Sequence, residues 1–226
     1  MPIEINDIPD LYKRYRWHNR HSLWGYDTDQ FPSFEWISSL ERRFARVVAV
    51  PPAETPVYLI REMIHWGGSQ NGVLEKFELQ LGSYDLGQAF WKVCSALDDT
   101  EAAIDAALDI PGMGLSYASK LLRFLRPETY GALDSQIRRY LASAQLEVPF
   151  RRVFDGNRNS MREGYKSFIS ILSNLKDRLE TSQALRPGED NKPLPWRAAD
   201  IEMALFQLAL EGGAGRSQDA NDELER

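Results

Sequence analysis

Three features of this chain are of types and spacings that could do chemistry together. Ile110-Pro111-Gly112-Met113-Gly114 sets a proline and two glycines between helical stretches. Ser116 and Lys120 follow at i and i+4, on one face of the next helix. Asp134 then opens "DSQIRRYLASAQ". A glycine turn admits positive φ and close backbone approach. The helix that starts after Gly114 presents unpaired N–H groups, which suit a phosphate. A lysine amine can be a nucleophile or a phosphate contact. A carboxylate beside a sugar can stabilise an oxocarbenium ion and position or deprotonate a water. Each feature also has a plain structural role. Short α-hairpins pack helices together, Lys120 can sit on the surface, and Asp is a preferred helix N-cap.

These elements must be positioned by helices. Phe34, Ile37, Leu40, Phe44 and Val47 recur at helical spacing in "PSFEWISSLERRFARVV". "TPVYLIREMIHW" starts with a Thr cap and Pro56. Short helices follow in "GVLEKFELQL", "LGQAFWKVCSALD" and "TEAAIDAALD", the last capped by Thr100. "SYASKLLRFL" stops at Pro127, and Ser160 opens a long amphipathic helix. "RAADIEMALFQLAL" ends at Gly212-Gly213, with Asp200 and Glu202 read as ordinary surface acids. "FARVVAVP" is the sole rival for a strand, and 186–195 reads as a loop. The polar, Gly-rich end, 212–226, is expected to be disordered.

Composition narrows the class. The 226 residues are 43% hydrophobic and 27% charged, which suits a packed core with a charged surface. There is no run of about 18 apolar residues, so no membrane span is expected. The start is acidic then basic and lacks the apolar stretch of a secretory signal. Cys94 is the only cysteine, so no internal disulfide can form, and a reducing cytoplasm is the expected compartment. His18 and His21 stand three apart, but no carboxylates join them at helical spacing, so no metal is expected. The net charge of −6 conceals a split. Residues 74–109 hold eight acids and two bases, whereas 110–166 hold ten bases and five acids. A basic segment inside an acidic protein is compatible with a phosphate-tracking face or with a solvated helix surface. "YKRYRWHNRHSLWGYD", 12–27, mixes bases with aromatics, as base stacking or a core-plugging loop would.

The hairpin Ile110–Gly114, Ala118 four residues after its second glycine, and Leu133-Asp134-Ser135-Gln136-Ile137-Arg138 carry a resemblance. Together they resemble the motif of the helix-hairpin-helix–Gly/Pro-Asp DNA glycosylase superfamily, in its compact bacterial, 8-oxoguanine DNA glycosylase-like branch. The resemblance is confined to 110–141. It implies an all-α, two-lobed fold, with a single helical domain over 1–211 and the hairpin unit at 100–126. It implies a cofactor-free monomer that binds double-stranded DNA, flips out a nucleotide and breaks its glycosidic bond. Asp134 falls on the family's catalytic aspartate. Ser116 falls where bifunctional members carry a lysine, which implies a monofunctional hydrolase. Lys120, one turn on, is the alternative nucleophile. Gly112, Met113, Gly114, Leu115, Arg123 and Arg138 would hold DNA. Gln70 or Asn71 would wedge the duplex, with His65 and Trp66 at the base pocket; a solvated loop with Trp66 in the core is the alternative there. No iron–sulfur ligand set is present, since Cys94 is alone. The expected substrate is a damaged or hypermodified base, in repair or in defence against phage-modified bases such as glucosylated hydroxymethylcytosine. The alternatives are a non-catalytic helix-hairpin-helix DNA-binding module and a Lys120-dependent glycosylase/lyase.

Overall fold

The computed structural model describes residues 3–16, 32–49, 56–143, 150, 153, 155–188 and 192–224. His18, His21 and most of the aromatic-basic stretch after Arg16 lie outside them. The described chain is helical. In order it forms α1 Ile8–Arg14, α2 Pro32–Ala49, α3 Val57–Trp66, α4 Val73–Gln80, α5 Leu86–Ser95, α6 Thr100–Leu108, α7 Leu115–Leu125, α8 Ser135–Ser143, α9 Arg158–Thr181 and α10 Ala198–Leu224. The expected rival strand "FARVV" lies inside α2. One two-residue antiparallel ribbon, Arg186–Pro187 with Pro193–Leu194, closes the loop before α10 and is too short to leave an alternating pattern. No described helix is long and apolar enough to cross a membrane.

Side-chain caps start α5, α6, α8 and α9, in two cases from a residue ahead of the expected one. Asp99, not Thr100, caps α6, because its Oδ1 accepts from Glu101 N and Ala102 N at 2.9 and 3.2 Å. Asn157 caps α9, ahead of the expected Ser160. Arg126 is forced out of the helical region by Pro127, which ends α7 as expected. Helix α10 runs through Gly212-Gly213 to Leu224, past the expected stop. Glycine is costly in a helix but not forbidden, so a ladder already begun can continue through it.

α7 is the central helix. It packs on α2, α3 and α6, and every residue of it except Ser116 is buried. Phe124 stacks on Phe44 at 5.7 Å and meets Trp66 edge-on at 4.9 Å. Three polar residues, Ser119, Lys120 and Arg123, are buried with the apolar ones. Arg123 is 0% exposed, which corrects its expected place at a DNA surface. Its guanidinium lies 2.8 Å from Glu41 of α2 and 3.5 Å from Glu202 of α10. Glu41 also contacts Arg197 at 2.8 Å, and Arg197 pairs with Asp200, which holds Arg186. Asp200 and Glu202, expected at the surface, are therefore core residues. The start of α10 is buried on all sides, from Ala198 to Phe206, so both acids lie inside the fold.

The charge split also resolves inside the fold. Arg158, Arg162 and Lys166 of α9 reach across to Asp109, Asp105 and Glu101. Arg126 holds Asp98 at 2.5 Å, and Arg138 holds Asp155 at 2.8 Å. Four bases of the basic segment, Arg126, Arg158, Arg162 and Lys166, are thus met by acids of the acidic segment.

Breaking a buried ion pair from one side leaves an uncompensated charge. Arg123→Met should therefore destabilise the fold by about 3–5 kcal/mol. Equilibrium denaturation in urea would measure this.

Candidate active site

The hairpin turns at Gly112, whose φ of +79° favours glycine. An added Cβ there would come within 3.0 Å of Val73 O, so this residue also docks the turn against the start of α4. Gly114 differs. Its backbone is extended, and a Cβ would meet nothing within 4 Å. Its contribution is an open approach to the α7 N-terminus. The N–H groups of Gly114, Leu115 and Ser116 make no backbone hydrogen bond among the described residues. Four such orphan donors are expected at a helix start, and together with the helix dipole they favour an anion. Met113 is buried and donates its N–H to Ile110 O, so it is a core residue rather than a DNA contact. Leu115 is buried likewise, and its side chain forms part of the cleft wall.

Behind the hairpin opens a cleft of about 430 Å³. Ser116, Lys120 and Asp134 all line it, so the three residues picked out by type and spacing share one cavity. Lys120 Nζ donates to Ser116 Oγ at 3.0 Å. The lysine is 6% exposed. Gly67 makes room for its stem, since a Cβ at Gly67 would lie 3.0 Å from Lys120 Cδ and 2.7 Å from Tyr117 Cε1. Burial holds the Lys120 ammonium below its ordinary pKa. Asp134 and Glu202 oppose that shift, while Arg138 and Arg123 add to it.

Asp134 caps α8. Its Oδ1 accepts from Gln136 N and Ile137 N, both at 2.9 Å. Oδ2 has no partner among the described residues. The cap fixes the carboxylate, and Ser119 fixes the chain ahead of it. Ser119 Oγ accepts from Leu133 N at 2.9 Å and donates to Ser116 O at 3.1 Å. One buried hydroxyl thus joins the lysine-bearing helix to the aspartate-bearing turn.

The remaining expected site residues divide. Trp66 and Asn71 line the cleft, and Asn71 is exposed with φ 59°. His65 does not line it. Its Nδ1 lies 3.4 Å from Ser69 Oγ, which corrects its expected place at a base pocket. Adjacent residues of a helix point about 100° apart, and here Trp66 turns to the cleft while His65 turns to Ser69. The Gln70 side chain lies outside the described residues. Arg138 lines the cleft while paired to Asp155.

Four wall residues were not singled out from sequence. Tyr15 and Phe206 lie 5.8 Å apart between ring centres and both face the cleft. Lys76, exposed beside the hairpin, has no ion pair among the described residues. Glu202 is buried, and burial, its largest influence, pushes its carboxyl up to about 7. Lys76 sits in an acidic stretch far from the hairpin in sequence, and Glu202 lies on the last helix. Nothing local marks either one.

Comparison with family models, with curated proteins and with solved structures finds no match for this chain.

The cap and any chemistry at Asp134 separate by substitution. Asn keeps the accepting Oδ1, so Asp134→Asn should leave thermal stability close to wild type. Asp134→Ala removes the cap and should cost about 1 kcal/mol. Calorimetry on the two variants checks this.

Proposed function

We propose that the protein is a DNA N-glycosylase that takes a flipped nucleotide into this cleft and hydrolyses its glycosidic bond. One observation carries the reading: a helix N-terminus with free N–H groups opens onto the same cavity as the unpartnered oxygen of Asp134. The amides of Gly114, Leu115 and Ser116 hold a backbone phosphate. That fixes a sugar near Asp134. Departure of the base leaves oxocarbenium character on the sugar. The carboxylate stabilises that charge and guides water to C1′. Tyr15, Trp66 and Phe206 offer flat apolar walls for the extruded base. The reading is supported by the helical class of the fold, which the sequence resemblance also implies. The substrate is a damaged or hypermodified base in double-stranded DNA, encountered in repair or in defence against modified phage genomes.

A second reading is favoured by the burial of Lys120. A desolvated amine is more readily neutral, and a neutral amine can attack C1′ to form an imine. Ser116 stands at the family's lysine position and here only accepts a hydrogen bond from Lys120.

Purified protein incubated with duplexes bearing damaged and hypermodified bases should generate abasic sites. Asp134→Asn should abolish that release while leaving the fold intact. Absence of release from every duplex, or full activity in Asp134→Asn, overturns the proposal. DNA binding that survives Asp134→Ala without any release would mark a non-catalytic binding module. Borohydride trapping of a covalent adduct, lost in Lys120→Ala, would move the assignment to the imine route.

Lys76 supplies a separate expectation. It is the exposed cation beside the hairpin, whereas Arg158 and Arg162 are engaged with acids. Lys76→Ala should weaken duplex binding for all sequences alike and lower the salt-dependence slope by about one. Arg158→Ala should leave the slope unchanged.

A further inference from the structure

Glu202 has no part in the hydrolysis outlined above, yet it is built into the cleft. Its stem packs against Gly131, where an added Cβ would stand 2.8 Å from Glu202 Cβ. The carboxyl is 4% exposed. Its Oε2 makes no hydrogen bond among the described residues, with Arg123 Nε at 3.5 Å. Ala132 N donates to the carboxyl. The other groups around it are Lys120 and Arg123 from α7 and Asp134 at the start of α8. Tyr15 after α1 and Tyr165 of α9 complete the set, and Glu41 of α2 acts through Arg123. Burial and Asp134 raise the carboxyl to about 7, against the pull of Arg123, Lys120 and Ala132 N–H. At neutral pH a proton is therefore available inside the cleft, on the wall contributed by the last helix.

We propose that Glu202 is the general acid that protonates the departing base. This rests on the glycosylase reading and adds the substrate class. The C1′–N bond breaks and its electron pair stays with the base. The Glu202 proton passes to a ring nitrogen or exocyclic oxygen of that base. The new carboxylate remains beside Arg123, whose charge offsets it. A water oxygen bonds to C1′ and its proton goes to Asp134. The products are a neutral free base and an abasic sugar, and solvent returns the proton from Asp134 to Glu202. A base that needs this help is uncharged and carries an acceptor. A cationic N-alkylated base leaves without protonation and gains nothing from Glu202. The structure thus assigns the cleft to neutral modified bases.

The test uses the full chain in single-turnover release. Duplexes carry hypoxanthine, 8-oxoguanine, glucosylated hydroxymethylcytosine or, as the cationic probe, 7-methylguanine. The acid must be protonated, so release of neutral bases should fall as pH rises through about 7. Glu202→Gln should remove that limb and slow neutral bases by about 10²-fold or more. Any release of 7-methylguanine should be unchanged. Glu202→Asp should retain a titrating limb. In wild type, carbon NMR of carboxyl-labelled glutamate should show a group titrating near neutrality that is missing in Glu202→Gln. An unchanged pH profile in Glu202→Gln overturns the proposal and leaves the glycosylase reading standing. Equal slowing of neutral and cationic bases shows a structural role and also overturns it. Should Glu202→Gln fail to fold, the wild-type titration and the Glu202→Asp profile decide, and no carboxyl titrating near neutrality overturns the proposal. No release from any duplex overturns both.

Discussion

The rest of the structure depends on a charge buried in its centre. Arg123 is closed off from water between α2, α7 and α10, with Glu41 on one side and Glu202 on the other. Desolvating a guanidinium is expensive, and only well-placed carboxylates offset it. The arrangement does not end with one pair. Glu41 is shared with Arg197, and Arg197 with Asp200, which also holds Arg186 at 2.9 Å. A file of alternating charges therefore runs from the loop before α10, through the core, to the wall of the cleft. Apolar side chains of similar volume would stabilise a core as well or better. What the file adds is placement. It fixes α10 against α7 in the register that brings Glu202 beside Lys120 and Asp134.

The two carboxylates of the cleft have opposite settings. Asp134 is half-exposed, with one oxygen tied into the α8 cap and the other unpartnered. Glu202 is buried against Gly131 and retains its proton to about 7. The proposed division of labour between them rests on this difference in burial and partners. Lys120 sits between them. Its charge pulls the Glu202 carboxyl down, against the burial that raises it, while burial lowers the lysine's own pKa.

Much of this was legible in the sequence because it is local. The all-helical class follows from the spacing of Phe34, Ile37, Leu40 and Phe44, and from the stop at Pro127. Ser116 and Lys120 lie one turn apart, and any helix places them together. Asp134 ahead of "SQIRRY" reads as a cap whatever the fold. Non-local features were not legible. Arg123 looks like its neighbour Arg126 in sequence, yet only Arg123 points at Glu41 and the α10 wall. Glu202 belongs to a run of ordinary helical residues, and its burial depends on how α10 packs against α1, α8 and α9. His65 and Trp66 are adjacent in the chain but face different ways, about 100° apart around the helix.

The charge pattern shows the same limit from another side. The split between residues 74–109 and 110–166 is real, but its meaning depends on what faces what. Once α6 lies along α9, Arg158, Arg162 and Lys166 are met by Asp109, Asp105 and Glu101. Surface pairs of this kind contribute little stability each and weaken with salt. Their main effect is to remove those cations from any role in attracting a polyanion. At the mouth of the cleft, among the described residues, the α7 N-terminus beneath Gly114 and Lys76 beside it are left for that role. A chain of net charge −6 that recognises a phosphate must do so at such a point rather than through a broad basic face. A single fixed phosphate position is also what a cleft chemistry requires, because it sets one sugar against one carboxylate.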